Sequence, residues 1–303
     1  MLSGALLLQP AKLNEPIRVF LRKRLSRIGL AFAFWSAVYL VWAFYISKEA
    51  LTWSNISKGI LYGLFSGSYY QFWFIYLIVG LYLITPILRV IIANGSQRII
   101  RYLLVLWFVG VGVVPLLQLA SGYTLDIDVF VIGGWIGYFV LGNYLQQIKL
   151  RSAVLYGLLI GSFFWTLFGV WLMNSPFSGL GQPNFFLDYL TANVIVGSVA
   201  LFMILARFRP DLPDTDRSLA NRIAQSINGS RVAQALSKNT LPIFLFHVII
   251  LESFELGFFG FTISYATLNP IIEIPLIAVL TLFVTLGLVL LMRKVPILTK
   301  LIG

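Results

Sequence analysis

Eight apolar runs, each long enough to cross a lipid bilayer, alternate with shorter polar connections along this chain, at about 28–46, 73–92, 99–119, 129–146, 152–173, 185–206, 241–258 and 271–292. A hydrocarbon core about 30 Å thick is crossed by ~20 helical residues. Inside lipid every backbone N–H and C=O needs a partner within the helix or a closed barrel. The runs are continuous rather than alternating in polarity, so the chain is expected to be all-α, a polytopic helical bundle with about eight full spans. Residues 59–70, GILYGLFSGSYY, are apolar but short and rich in Gly and Tyr, which fits an interfacial or re-entrant segment.

The connections sort by charge. Counted alternately, one set holds six Lys and Arg in 9–27, three in 89–101, two in 147–151, six in 207–240 and three in 293–303, while the other set holds only Lys48 and Lys58. The positive-inside rule then places 9–27, the loop 207–240 and the C-terminus in the cytoplasm. The opposite face receives Glu49, Asp126, Asp128 and Asp188. This sorting accounts for a formal net charge of +11 without a nucleic-acid partner, and none is expected. Within 207–240, a surface helix is expected at 217–237. No second domain is marked: 1–303 reads as one membrane domain.

The first eight residues, MLSGALLL, are apolar, precede the basic stretch, and are expected to form a partial span. A secretory signal would place its positive charges first. Eight residues cover only about 12 Å of the bilayer.

Few residues in this chain can carry chemistry. Cysteine is absent and histidine occurs once, so no zinc cluster of His and Cys can form and no metal is expected. His247 lies about 9 Å into the span beginning at Leu241, as a general base or as a structural histidine. Glu252 and Glu255, three apart on that helix, either line an outer cavity or reach the headgroup region. Helical geometry turns both away from the His247 ring, by about 140° and 80° respectively. Arg24 and Arg27, also three apart, suit a phosphate-bearing ligand, or serve as a topology anchor near anionic lipid. Gly133 with Gly137, and Gly157 with Gly161, are spaced for close helix packing.

Five segments taken in order resemble the acyltransferase 3 family of bacterial membrane proteins, in its surface-polysaccharide O-acyltransferase branch. They are FLRKRLSRI at 20–28, FWFIYLIVGLYLITPILR at 72–89, GGWIGYFVLGNYL at 133–145, LSKNTLPIFLFH at 236–247 and VPILTKLIG at 295–303. The resemblance implies a multi-pass protein of the bacterial inner membrane. It would transfer an acyl group, commonly acetyl, from cytoplasmic acyl-CoA to a hydroxyl of a surface glycan or its lipid-linked precursor. Acyl-CoA is then a co-substrate, and no resident cofactor is implied. Arg24 and Arg27 match the family's Arg-x-x-Arg motif, associated with the CoA donor, and His247 matches the His of a C-terminal helix motif. Ser3 and Trp73 join Glu252 and Glu255 as residues expected to line the site.

The chain also departs from the family pattern. MLSGALLL resembles the closing half of the family's second helix, and on that resemblance the helix bearing the family's general-base His is expected to have no counterpart here. The alternative expectation is therefore an inactive, truncated paralogue or a transporter-like membrane protein.

Overall fold

The computed structural model describes residues 1–50, 52–123, 133–175, 182–207, 230–262 and 269–303. Its regular elements are helices: α1 (Leu2–Leu7), α2 (Ile17–Ser47), α3 (Trp53–Tyr62), α4 (Trp73–Asn94), α5 (Gln97–Phe108), α6 (Val114–Ser121), α7 (Gly134–Leu145), α8 (Ser152–Met173), α9 (Ala192–Leu205), α10 (Arg231–Lys238), α11 (Thr240–Glu255), α12 (Pro270–Met292) and α13 (Pro296–Leu301). A π-helical turn, Val109–Val113, joins α5 to α6, and another, Gly63–Gly67, follows α3. The chain is thus an all-α polytopic membrane protein.

Among the described residues, six helical segments are long and apolar enough to span a membrane, and a seventh forms if α10 and α11 count as one span bent by 86°. They match the expected runs. The expected span 129–146 is described from residue 133 onward, as α7, and 241–258 is the second arm of the bent pair. Asp126, Asp128 and most of the expected surface helix at 217–237 lie outside the described residues.

One boundary differs from the sequence reading. The basic stretch 9–27 is not wholly a connection, because α2 starts at Ile17 and carries Arg18, Arg22, Lys23, Arg24 and Arg27 on its first turns. Hydropathy marks where lipid begins, not where a helix does. Between Pro16 and Lys48 no proline interrupts the chain, and Leu, Arg and Lys all favour the helix.

The chain divides into two compact units, Met1–Pro16 with Leu81–Ala224, and Ile17–Gly80 with Gln225–Gly303. In the first, α1 lies directly on α7. A Cβ added at Gly4 would sit 1.8 Å from the Phe139 carbonyl oxygen, and one at Gly142 would sit 2.1 Å from that of Met1. The absence of side chains there allows backbone to meet backbone. At the end of α1, Arg89 Nε donates to Leu7 O (2.8 Å) and Asn143 Nδ2 to Leu8 O (3.2 Å), which satisfies carbonyls that a helix C-terminus leaves bare. Arg89 is itself buried, and Glu15 balances its charge at 3.0 Å. Nearby, Trp107, Val111, Tyr138 and Ile195 form an apolar core.

Of the glycines expected to admit close neighbours, Gly137 does so, since an added Cβ would strike the Trp107 ring at 2.1 Å. Gly133, Gly157 and Gly161 instead face open space, with nothing within 4 Å. The α8–α9 pair is brought close at Gly197, against Ser162, and Gly169 admits Phe186 from the turn before α9. Gly4→Leu is expected to force α1 off α7, at an overpacking cost of about 1–3 kcal/mol. That corresponds to roughly 2–4 °C per kcal/mol in a thermal melt of the purified protein. Gly157→Ala should leave the midpoint undiminished, and equal loss in both variants would refute the packing account.

In the second unit α2 is central. Trp35 and Tyr39 are 1% and 0% exposed, and they donate to Ile302 O (3.4 Å) and Leu245 O (2.7 Å). These bonds tie α2 to the chain end and to α11. The elbow between α10 and α11 is held at Asn239, whose Nδ2 donates to Ala235 O and whose Oδ1 accepts from Arg293 Nε. Pro242, in the first turn of α11, has no N–H to offer the preceding helix.

Candidate functional site

The second unit holds most of the residues singled out from the sequence. Arg24 and Arg27 are one turn apart on α2. Arg27 is exposed, whereas Arg24 is half-buried and its Nε lies out of solvent with no partner among the described residues. A guanidinium N–H without a partner is costly in a protein interior. Occupation by an anion would remove that cost.

His247 stands on α11, half-buried beside the Phe244 ring, their centroids 5.8 Å apart. Its Nδ1 is 2.6 Å from the Phe244 carbonyl oxygen. A carbonyl can only accept, so Nδ1 carries a hydrogen, and in the neutral form of the ring the lone pair is on Nε2. Nε2 has no hydrogen-bond partner among the described residues. The imidazole is thus oriented by its own helix rather than by a carboxylate, with its basic nitrogen available.

Glu252 is engaged within the chain. Its Oε2 accepts from Trp42 Nε1 at 2.6 Å and its Oε1 from the Tyr69 hydroxyl at 2.5 Å. Tyr39, whose ring is tilted against that of Tyr69 with centroids 4.9 Å apart, extends this aromatic wall towards Phe72. Burial first, and then the Glu252 carboxylate, push the Tyr69 phenol above its ordinary range, so it remains a protonated donor. Glu255 is exposed. Glu252→Gln replaces one acceptor oxygen with an N–H and so loses one of the two bonds. The expected cost is about 1–3 kcal/mol, read as a lower melting midpoint, and an unchanged midpoint would show that the pair contributes nothing.

Trp73 opens α4 and is 43% exposed. Ser3 lies on α1, in the other compact unit, and is half-buried there.

Sequence reasoning passed over a further set. Gln71 is 3% exposed, and neither heteroatom of its carboxamide has a partner. Ser36, Thr281 and Thr285 likewise bury hydroxyls with none. Orphaned polar groups are uncommon in protein interiors and call for an explanation. The signal was present in the sequence, since Gln71 is a lone carboxamide between aromatic residues, and Thr281 and Thr285 recur at i, i+4 in an apolar helix. The second unit therefore offers an anion-seeking guanidinium, an imidazole whose Nε2 is unengaged, and a buried amide able to donate or accept. Those groups suit a polar reaction that passes a proton.

Compared with known proteins, the chain matches a family model described as an acyltransferase domain over residues 1–290. No curated protein and no solved structure matches it.

Proposed function

From a chain that belongs to the acyltransferase 3 family, we propose an O-acyltransferase of the bacterial inner membrane that carries acetyl from cytoplasmic acetyl-CoA to a hydroxyl of a surface glycan or its lipid-linked precursor. The observation that carries the donor side of this reading is Arg24, with its buried, unpartnered Nε one turn from the exposed Arg27. Two guanidinium forks bind phosphate oxygens bidentately, and the phosphates of CoA are the ligand of that chemistry.

On the acceptor side, His247 Nε2 takes the proton from the attacking hydroxyl. The alkoxide forms a bond to the thioester carbonyl carbon, and the C–S bond breaks. The proton leaves with the CoA thiolate, so the imidazole ends neutral as it began. Gln71 is the group able to donate to the carbonyl oxygen as charge develops there. Trp73 and Glu252 belong to the walls of the same unit.

Membranes from cells producing the protein, supplied with acetyl-CoA labelled in the acetyl group, test the reading. Base-labile label should enter the glycan or lipid-linked sugar fraction above the level of vector-only membranes. Label at the vector-only level would overturn the activity and favour an inactive or transporter-like protein.

A further inference from the structure

The first compact unit contains a cavity of about 490 Å³ lined by Gly110, Pro115, Gln182, Asn184, Asp188 and Thr191, among others. Its volume lies within the range of small-molecule sites, and such sites are mostly apolar with a few placed polar groups. The groups present here identify what could fill it. Among the described residues no Lys or Arg lines the cavity, so none of them balances an anion in its wall.

Asp188 has one oxygen engaged, since Oδ1 accepts from Leu190 N at 2.9 Å, while Oδ2 has no partner among the described residues. The carboxamides of Gln182 and Asn184 supply both donors and acceptors in exposed positions.

The backbone adds one more acceptor. In the π-helical turn Val109–Val113, Val114 N–H donates to Val109 O, five residues back. Gly110 O would therefore look to residue 115 for its π-type donor, and that residue is Pro115, which has no N–H. The α-type donor, Val114, is already committed. The carbonyl of Gly110, a residue of the cavity wall, is thus released from both regular helical patterns. π-Turns of this kind recur at functional sites.

Beside the cavity, Tyr189 follows Asp188 and packs against Trp135 with ring centroids 5.8 Å apart, and Tyr138 OH holds the Tyr189 carbonyl at 2.8 Å. Tyr189 itself is 59% exposed.

Acceptors that need O–H partners, carboxamides that can serve both roles, an exposed aromatic ring and no balancing cation describe a neutral polyhydroxylated ligand. Each sugar hydroxyl both donates and accepts, and the C–H face of a pyranose is apolar. We propose that this cavity is a glycosyl-binding site, in which Asp188 Oδ2 and Gly110 O accept from sugar hydroxyls and Gln182 and Asn184 complete the ring of contacts. The cavity opens at the connection before α9, which belongs to the face poor in Lys and Arg. The proposal rests on the O-acyltransferase reading for its placement outside the cytoplasm, but the binding chemistry is separate.

The test is accordingly one of binding. The purified chain in lipid nanodiscs, free of sugar detergents, is mixed with maltose, lactose and chitobiose, and saturation-transfer NMR is recorded. Saturation transfer to at least one disaccharide is expected, and Asp188→Asn should weaken that affinity at least about tenfold, the loss of one hydrogen bond to a charged group. Asparagine keeps the acceptor for Leu190 N, so this variant should fold as the parent does. Gln182→Ala with Asn184→Ala should weaken binding further. Transfer to none of the three sugars, or transfer equal in parent and Asp188→Asn, would overturn the site. Sugar binding without acetyl transfer would leave the site standing and remove the proposed activity.

Discussion

Replacing Arg24 and Arg27 together with alanine is expected to lower kcat/KM for the acyl-CoA donor by about two to four orders of magnitude. A hydrogen bond to a charged group is worth about 1.5–3 kcal/mol, and two such groups remove roughly 3–6 kcal/mol, at tenfold per 1.4 kcal/mol. The loss should appear mainly in the KM for the donor, because phosphates far from the thioester bind alike in the ground and transition states. Removing Arg24 also removes a buried N–H that has no partner among the described residues, so folding should not suffer. Arg24→Lys should rescue little, because an ammonium cannot reproduce the two-pronged geometry of a guanidinium. Donor affinity should also fall with added salt. Titration with acyl-CoA over parent and double variant decides the matter. Equal donor KM and kcat in the two would remove the donor assignment.

His247 carries the second large effect. His247→Ala is expected to lower kcat by about 10²–10⁴-fold, the usual contribution of a positioned base. The informative variant is His247→Asn, whose amide N–H can replace Nδ1–H as donor to Phe244 O but has no basic nitrogen in place of Nε2. If the ring merely caps a carbonyl in α11, the asparagine variant should work nearly as well as the parent. If Nε2 takes the proton, asparagine should be as poor as alanine while melting at the parent temperature. Single-turnover transfer with saturating donor separates the two outcomes.

Much of the architecture was legible because a bilayer imposes a length and a polarity that no short-range conflict can disguise. The runs at 152–173 and 271–292 coincide with α8 and α12 almost to the residue. Helix starts were less legible, as α2 shows, because its first turns are charged and a charged helix has no hydropathic signature. The π turn at Val109–Val113 was hidden inside an unbroken apolar run, although Gly110, Gly112 and Pro115 marked a place where regular bonding would falter.

At the site, residue types were readable and their partners were not. Glu252 could be singled out as an ionisable group in an apolar helix, but Trp42 and Tyr69, its two donors, lie 210 and 183 residues away. Only the fold supplies such pairings. Gly157 and Gly161 illustrate the converse, since a spacing that permits close packing does not supply a neighbour, and the backbone contacts fell to Gly4 and Gly142 instead. Gln71 was missed because a neutral amide in an aromatic stretch looks harmless until its burial is known.

The way α1 is completed has a bearing on how the protein is made. Its last carbonyls are taken by Arg89 and Asn143, and its face rests on α7. At the moment the ribosome releases α1, none of those partners has been synthesised. The helix must wait through the manufacture of more than a hundred further residues, sheltered by the insertion machinery or lying at the water interface, before it can settle. Nascent chains arrested before residue 143 should therefore leave α1 open to protease or to a water-soluble label, and chains arrested beyond it should not.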